Sequence, residues 1–181
     1  MMKRLPSAFL VALAVVAPSA RAQRYGQRGS TPIELGVDAA MVFGLDNPHT
    51  TAVTLPVPSF RIGFIVDNNL ELEPRLQVNS VHVAGLGTLT DYDFQLGVLF
   101  MPGGDRVGKD VYIRPFLGFS GTSASGAGSN SNGDAGVGLG VKLPFADRRL
   151  ATRLEAAYDH GFGNGGTNAI GLFAGLSFFT R

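Results

Sequence analysis

Ser80 and His82 stand two residues apart, and Asp159 directly precedes His160. A hydroxyl next to an imidazole is the start of a nucleophile–base pair, and a carboxylate can orient such an imidazole. On a strand, residues i and i+2 share a face, so Ser80 and His82 can meet. The pairing goes no further. Strand parity is expected to put both inward or at a rim, with no third group to orient the ring. His49 falls in yet another region, so the three histidines make a poor metal set. The chain has no cysteine, which removes thiolate nucleophiles, thiolate metal sites and disulfides. No catalytic, cofactor or metal residue is expected.

A larger set of charged residues carries a different chemistry. Glu34, Asp38, Arg61, Glu71, Glu73, Arg75, Asp91, Asp93, Arg114, Lys142, Arg153, Glu155 and Asp159 all fall on the same parity of alternating segments. Guanidinium groups bind carboxylates through paired N–H donors, and charges taken out of water must be paired. These thirteen residues are expected to form one interior network.

The segments that must position them number eight. Ile33–Phe43, Val53–Val66, Leu70–Val83, Leu89–Phe100, Val111–Gly121, Ala135–Leu143, Leu150–Asp159 and Ala169–Phe179 each alternate apolar with polar or glycine residues. In the third, Leu70, Leu72, Leu76 and Val78 share a face with Pro74, opposite Glu71, Glu73, Arg75, Gln77 and Asn79. No segment has a 3.6-residue period with helix caps. About ten residues suits a tilted transmembrane strand, and eight strands is the smallest usual barrel of this kind. The expected fold is all-β, an eight-stranded antiparallel up-and-down transmembrane barrel with lipid outside and charge inside.

Threading the strands up and down gathers the aromatics at two levels. Phe64, Phe100 and Phe178 fall at the periplasmic end of the outward face, and Phe43, Tyr92, Phe119 and Tyr158 at the external end. Two aromatic girdles are the mark of both membrane interfaces. Pro74 and Pro115 lie inside strands and imply bulges or positions beyond the hydrocarbon band. Pro56 and Pro58 place the membrane part of the second strand from Ser59 onward. Gly136, Gly138 and Gly140 leave room along one wall for water or arginine side chains.

The first residues address the chain for export. Lys3 and Arg4 precede the apolar run Ala8 to Ala17, and Ala20-Arg21-Ala22 forms a cleavage site. Residues 1–22 are read as a signal peptide, 23–32 as a flexible lead-in and 33–181 as the barrel. The chain has 15 Lys and Arg against 14 Asp and Glu, and loss of Lys3, Arg4 and Arg21 turns a formal +1 into −2. That balance does not suit nucleic acid. The stretches 44–52, 84–88, 122–134 and 160–168, read as outer loops, contain no Lys or Arg.

The chain resembles the small eight-stranded outer-membrane barrels, the broad opacity-protein and OmpA-like group. The resemblance rests on Arg61-Ile62-Gly63-Phe64 before Asp67-Asn68-Asn69, on Gly136-Val137-Gly138-Leu139-Gly140-Val141-Lys142, and on Gly171-Leu172-Phe173-Ala174-Gly175-Leu176-Ser177-Phe178. It implies a bacterial outer-membrane location, outer-membrane lipid and the assembly machinery as partners, and a monomer. Thr180-Arg181 follow the aromatic Phe179 with which such chains usually end, so the assembly signal is shifted. A structural or surface-interaction role is expected, with the interior plugged. The alternatives are a small-solute or ion channel, or a periplasmic lipocalin-like binder with the parity reversed.

Overall fold

The structure, a computed structural model, describes residues 32–46, 51–83, 87–103, 110–125, 128–146, 149–163 and 166–180. Side chains of 51–58 and 83 are outside that set, as are His49, the signal peptide and the lead-in before Pro32. Eight strands follow in order: β1 Ile33–Gly44, β2 Thr51–Ile65, β3 Leu70–Val83, β4 Gly87–Phe100, β5 Asp110–Ala124, β6 Gly128–Phe145, β7 Leu150–Phe162 and β8 Asn168–Phe179. Each pairs antiparallel with its neighbours, and β8 returns to β1 from Glu34↔Phe179 to Gly44↔Ala169, closing the barrel. Closure leaves no free edge, which a bilayer requires of a sheet.

Alternation decides which face is which. In β5, Tyr112, Arg114 and Phe116 are buried while Val111, Ile113, Leu117 and Phe119 are exposed. In β3, Glu71, Glu73 and Arg75 are buried while Leu72, Leu76 and Val78 are exposed. Charge is inside and hydrocarbon outside, the reverse of what a lipocalin-like barrel needs. A continuous apolar outer face of this size is not stable against water. Phe64, Phe100 and Phe178 stand exposed near the termini, and Phe119 and Tyr158 near the opposite end. Phe43 and Tyr92 are half-buried at that end, with the Tyr92 ring edge-on to Phe119 at 6.4 Å.

The strands run further than alternation alone suggests. Residues 122–134, expected as a loop, mostly continue the β5–β6 ladder, which pairs out to Ala124↔Gly128. Strand polarity survives there because two paired backbones satisfy each other whatever their side chains. β2 likewise begins at Thr51, two residues before the expected Val53. Its register against β1 jumps from Asp38↔Ser59 to Ala40↔Thr54, so Pro56 and Pro58 fall in a bulge where their missing N–H breaks no pair.

Pro74 and Pro115 make no bulge. Pro74 pairs with Leu96 on β4, while the β2–β3 ladder passes from Arg61↔Arg75 to Phe64↔Leu72 without a change of register. Pro115 pairs with Val137 on β6, and the β4–β5 ladder skips from Gly97↔Phe116 to Phe100↔Ile113. Each proline interrupts one seam, the one its absent donor would have faced.

Candidate functional site

The lumen is the only chemically distinctive space among the described residues, and it is built in layers. Nearest the termini, Ile65, Leu99, Met101 and Ala151 are almost wholly buried, Leu99 and Met101 clustering with Tyr112 as an apolar floor beside the buried Asp110. Above them five acids and five bases interlock: Glu34, Asp38, Glu71, Glu73 and Glu155 with Arg61, Arg75, Arg114, Lys142 and Arg153. All ten are buried. Their formal charges cancel.

Arg61 donates from Nε to both Asp38 oxygens at 3.1 and 2.9 Å, from Nη1 to Glu34, and from Nη2 to Ser177 Oγ at 2.9 Å. Lys142 Nζ bridges Glu34 at 2.5 Å and Glu71 at 2.7 Å. Arg153 holds Glu73 through Nη1 and Nη2, Glu155 through Nη2 at 2.5 Å, and the Tyr112 hydroxyl oxygen through Nε. Tyr112 donates in turn to Glu155 at 2.8 Å. Arg114 reaches Glu155 at 2.8 Å and Gln95 Oε1 at 3.2 Å, and Arg75 reaches Glu155 at 3.3 Å. Glu155 thus accepts from three arginines and a tyrosine.

Aromatic rings and glycines make room for these groups. Arg75, Arg114 and Arg153 lie over Phe173, Phe116 and Tyr112 at 4.4, 4.6 and 4.7 Å from the ring centres. The glycine wall of β6 admits rings rather than arginines: a Cβ on Gly136 would strike Phe116, and one on Gly140 would strike Tyr112. Arg61 and Arg114 instead lie over Gly36 and Gly97 respectively.

Three of the thirteen expected network residues stand apart. Asp91 is exposed, accepting from the Thr122 hydroxyl at 2.9 Å, because β4 and β5 project past the barrel proper at that height. Asp93 and Asp159 are half-buried above the ion-pair layer. Conversely, Tyr112, Gln95, Ser177 and Asp134 join the interior without having been singled out. Each lies on the inward parity of its strand, which was signal enough. Their neutral or loop-like character hid them.

The catalytic reading finds no geometry. Ser80 and His82 are both exposed on the outer end of the β3–β4 hairpin, on the outward parity of Leu76 and Val78, so of the two expected placements it is the rim and not the inward one. Ser80 Oγ bonds Thr90 Oγ1 at 3.0 Å, and His82 Nδ1 bonds Thr88 Oγ1 at 3.0 Å. His160 Nδ1 lies 2.8 Å from Asn168 Oδ1 rather than on Asp159.

The sequence matches no family profile and no curated protein. Its fold does have solved counterparts. Neisserial surface protein A superposes with a TM-score of 0.63 at 15% identity, over 81% of this chain and 96% of that one. The N-terminal β-barrel domain of Pseudomonas aeruginosa OprF gives 0.52 at 19% identity, over 83% and 100%. Ail, the attachment invasion locus protein of Yersinia pestis, gives 0.52 at 11% identity, over 84% and 100%. The chain has the fold of the small eight-stranded outer-membrane barrels. At these identities the likeness is one of architecture, and the lumen chemistry must be read from this chain itself.

Proposed function

We propose that this protein is a monomeric outer-membrane barrel with a structural or surface-interaction role, and that it neither catalyses a reaction nor conducts. The carrying observation is the lumen: ten buried, mutually neutralising charged groups lie across it, above an apolar floor. An eight-stranded interior is just wide enough for side chains to fill it, so such a network acts as a plug. The outward apolar face and its aromatic belts support contact with outer-membrane lipid, and delivery there calls on the barrel assembly machinery. The near-even balance of 15 Lys and Arg against 14 Asp and Glu does not favour nucleic acid, which calls for a basic patch.

A surface role would operate through the outer ends of the hairpins. Ail bears attachment and invasion in its name. In this chain, 44–52, 84–88, 122–134 and 160–168 hold no Lys or Arg, so capture there would rest on hydrogen bonds to Ser, Thr and Asn and not on charge. The testing experiment compares cold and boiled gel migration after refolding with and without detergent or lipid vesicles. A mobility shift that needs detergent or lipid is expected. A monomer that folds in plain buffer would overturn the membrane reading.

A further inference from the structure

Above the neutral layer the lumen changes sign. Asp93 of β4, Asp134 of β6 and Asp159 of β7 converge so that one carboxylate oxygen from each lies within 4.8 Å of the others. The lower group of three carboxylates, Glu34, Glu71 and Glu73, is just as tight, but Arg61, Lys142 and Arg153 are paired with its members. Among the described residues no Lys or Arg is paired with the upper three.

Asp134 sharpens the contrast. It is 4% exposed, and the one donor beside it, the Ser120 hydroxyl, does not reach either oxygen in good hydrogen-bond geometry. Asp159 Oδ1 is likewise unbonded, and Asp93 Oδ2 receives only a 3.4 Å bond from Gln95 Nε2. A carboxylate held this way, out of water and with no cationic partner, is costly unless a cation completes the site. The nearest base below does not fill the role. Arg75 donates from Nη2 to Glu155 and lies on the face of Phe173; its Nε and Nη1 are unbonded, yet it makes no ion pair with any of the three aspartates.

Space and access are present. A cavity of about 110 Å³ is lined by Arg75, Gln77, Asp93 and Asp159. A second, of about 290 Å³, shares Gln77 and Asp93 with it and is bordered by the hairpin residues Asn130 and Asn132.

We propose that Asp93, Asp134 and Asp159 bind one hard divalent cation of the calcium type, admitted from the external end of the barrel. Oxygen ligands on a calcium ion lie at roughly 2.4 Å from it, so any two of them are at most about 4.8 Å apart, and the three carboxylates fall within that bound. Three carboxylates supply three to six of the ~6–8 oxygens calcium takes, leaving the Gln77 amide and water for the rest. The flexible calcium shell also suits three ligands from three strands better than the strict octahedron of magnesium.

The test titrates calcium chloride into protein refolded in dodecyl maltoside, free of lipopolysaccharide and stripped with EDTA. Heat is read by calorimetry, and terbium luminescence is excited through tyrosine, since Tyr92 borders the vestibule. One saturable site per chain is expected, weakened at least about tenfold by Asp134→Asn or Asp159→Asn. Asp67→Asn, in the turn near the termini, should leave it unchanged. Cold gel migration of each variant shows that the barrel has folded, so loss of binding is not mistaken for loss of structure or for failure of the membrane reading. Absence of saturable binding overturns the proposal, as does binding that persists in both lumen variants. Stability that rises on acidification without any calcium uptake also overturns it, since protons would then hold the cluster together.

Discussion

At the scale of single residues, the lumen is sensitive because its charges are shared. Arg153 is bonded to Glu73, Glu155 and Tyr112 at once and is almost fully buried. Arg153→Ala strands Glu73 in a dry interior and takes one of four donors from Glu155, and breaking a buried pair on one side costs about 3–5 kcal/mol. The expected outcome is a large drop in the urea midpoint of the refolded barrel. The chain has no tryptophan, so unfolding is followed by gel mobility or circular dichroism. An unchanged midpoint would mean that water reaches these groups. Glycine gives a second comparison. A methyl on Gly140 meets the Tyr112 ring and the Leu154 carbonyl oxygen, whereas one on Gly133 meets nothing nearer than 3.8 Å. Gly140→Ala should destabilise by about 1–3 kcal/mol through overpacking, and Gly133→Ala should be neutral or slightly stabilising. Equal effects in the same unfolding assay would sink the packing argument.

At the scale of strands, the two mid-barrel prolines mark where the wall is weakest. Pro74 removes a donor from the β2–β3 seam, and the ladder is interrupted opposite Ile62. Backbone amides of β2 facing this gap should exchange with solvent faster than those opposite Leu72 and Leu76, because local opening there breaks fewer bonds. Pro74→Val, which restores the donor, should slow that exchange; uniform protection along β2 would refute the weak seam. Strand identity itself was legible because apolar and polar residues alternate without interruption, as Leu70 to Val78 does over the start of β3. Strand ends were not. Ser123 to Asn132 has the composition of a loop, yet most of it pairs, since hydrogen bonding between backbones does not depend on those side chains. The prolines misled in the same way. Alternation tells which face a residue takes, but not whether a missing N–H is absorbed by a bulge, as near Pro56, or by a gap, as at Pro74. Ten of the thirteen expected interior charges were readable from parity; Asp91, Asp93 and Asp159 lie outside that layer, and Asp134 was missed. Which carboxylate meets which guanidinium was not readable, because partners such as Arg75 and Glu155 are 80 residues apart and meet only when the barrel closes.

At the scale of the whole molecule, the proposed plugged barrel would be closed by two barriers in series. The apolar floor around Leu99 and Met101 excludes ions by desolvation, and the ion-pair layer above it fills the cross-section with neutralised charge. A barrier in series is not removed by opening its neighbour. The wild-type protein should therefore be silent in planar bilayers, and so should Arg153→Ala and Leu99→Ala alone. Only the double variant removes bulk from both layers at once, through the inward faces of β7 and β4, and there a leak should first appear. Steady conductance by the wild type, changed in size by Arg114→Ala or Arg153→Ala, would place the permeant path through the network and make this barrel a channel. Silence of every variant, with folding shown by gel shift, would mean that the remaining side chains repack across the lumen. That outcome is compatible with an interior this narrow, and it would leave the outer rim as the only surface through which the barrel meets its surroundings.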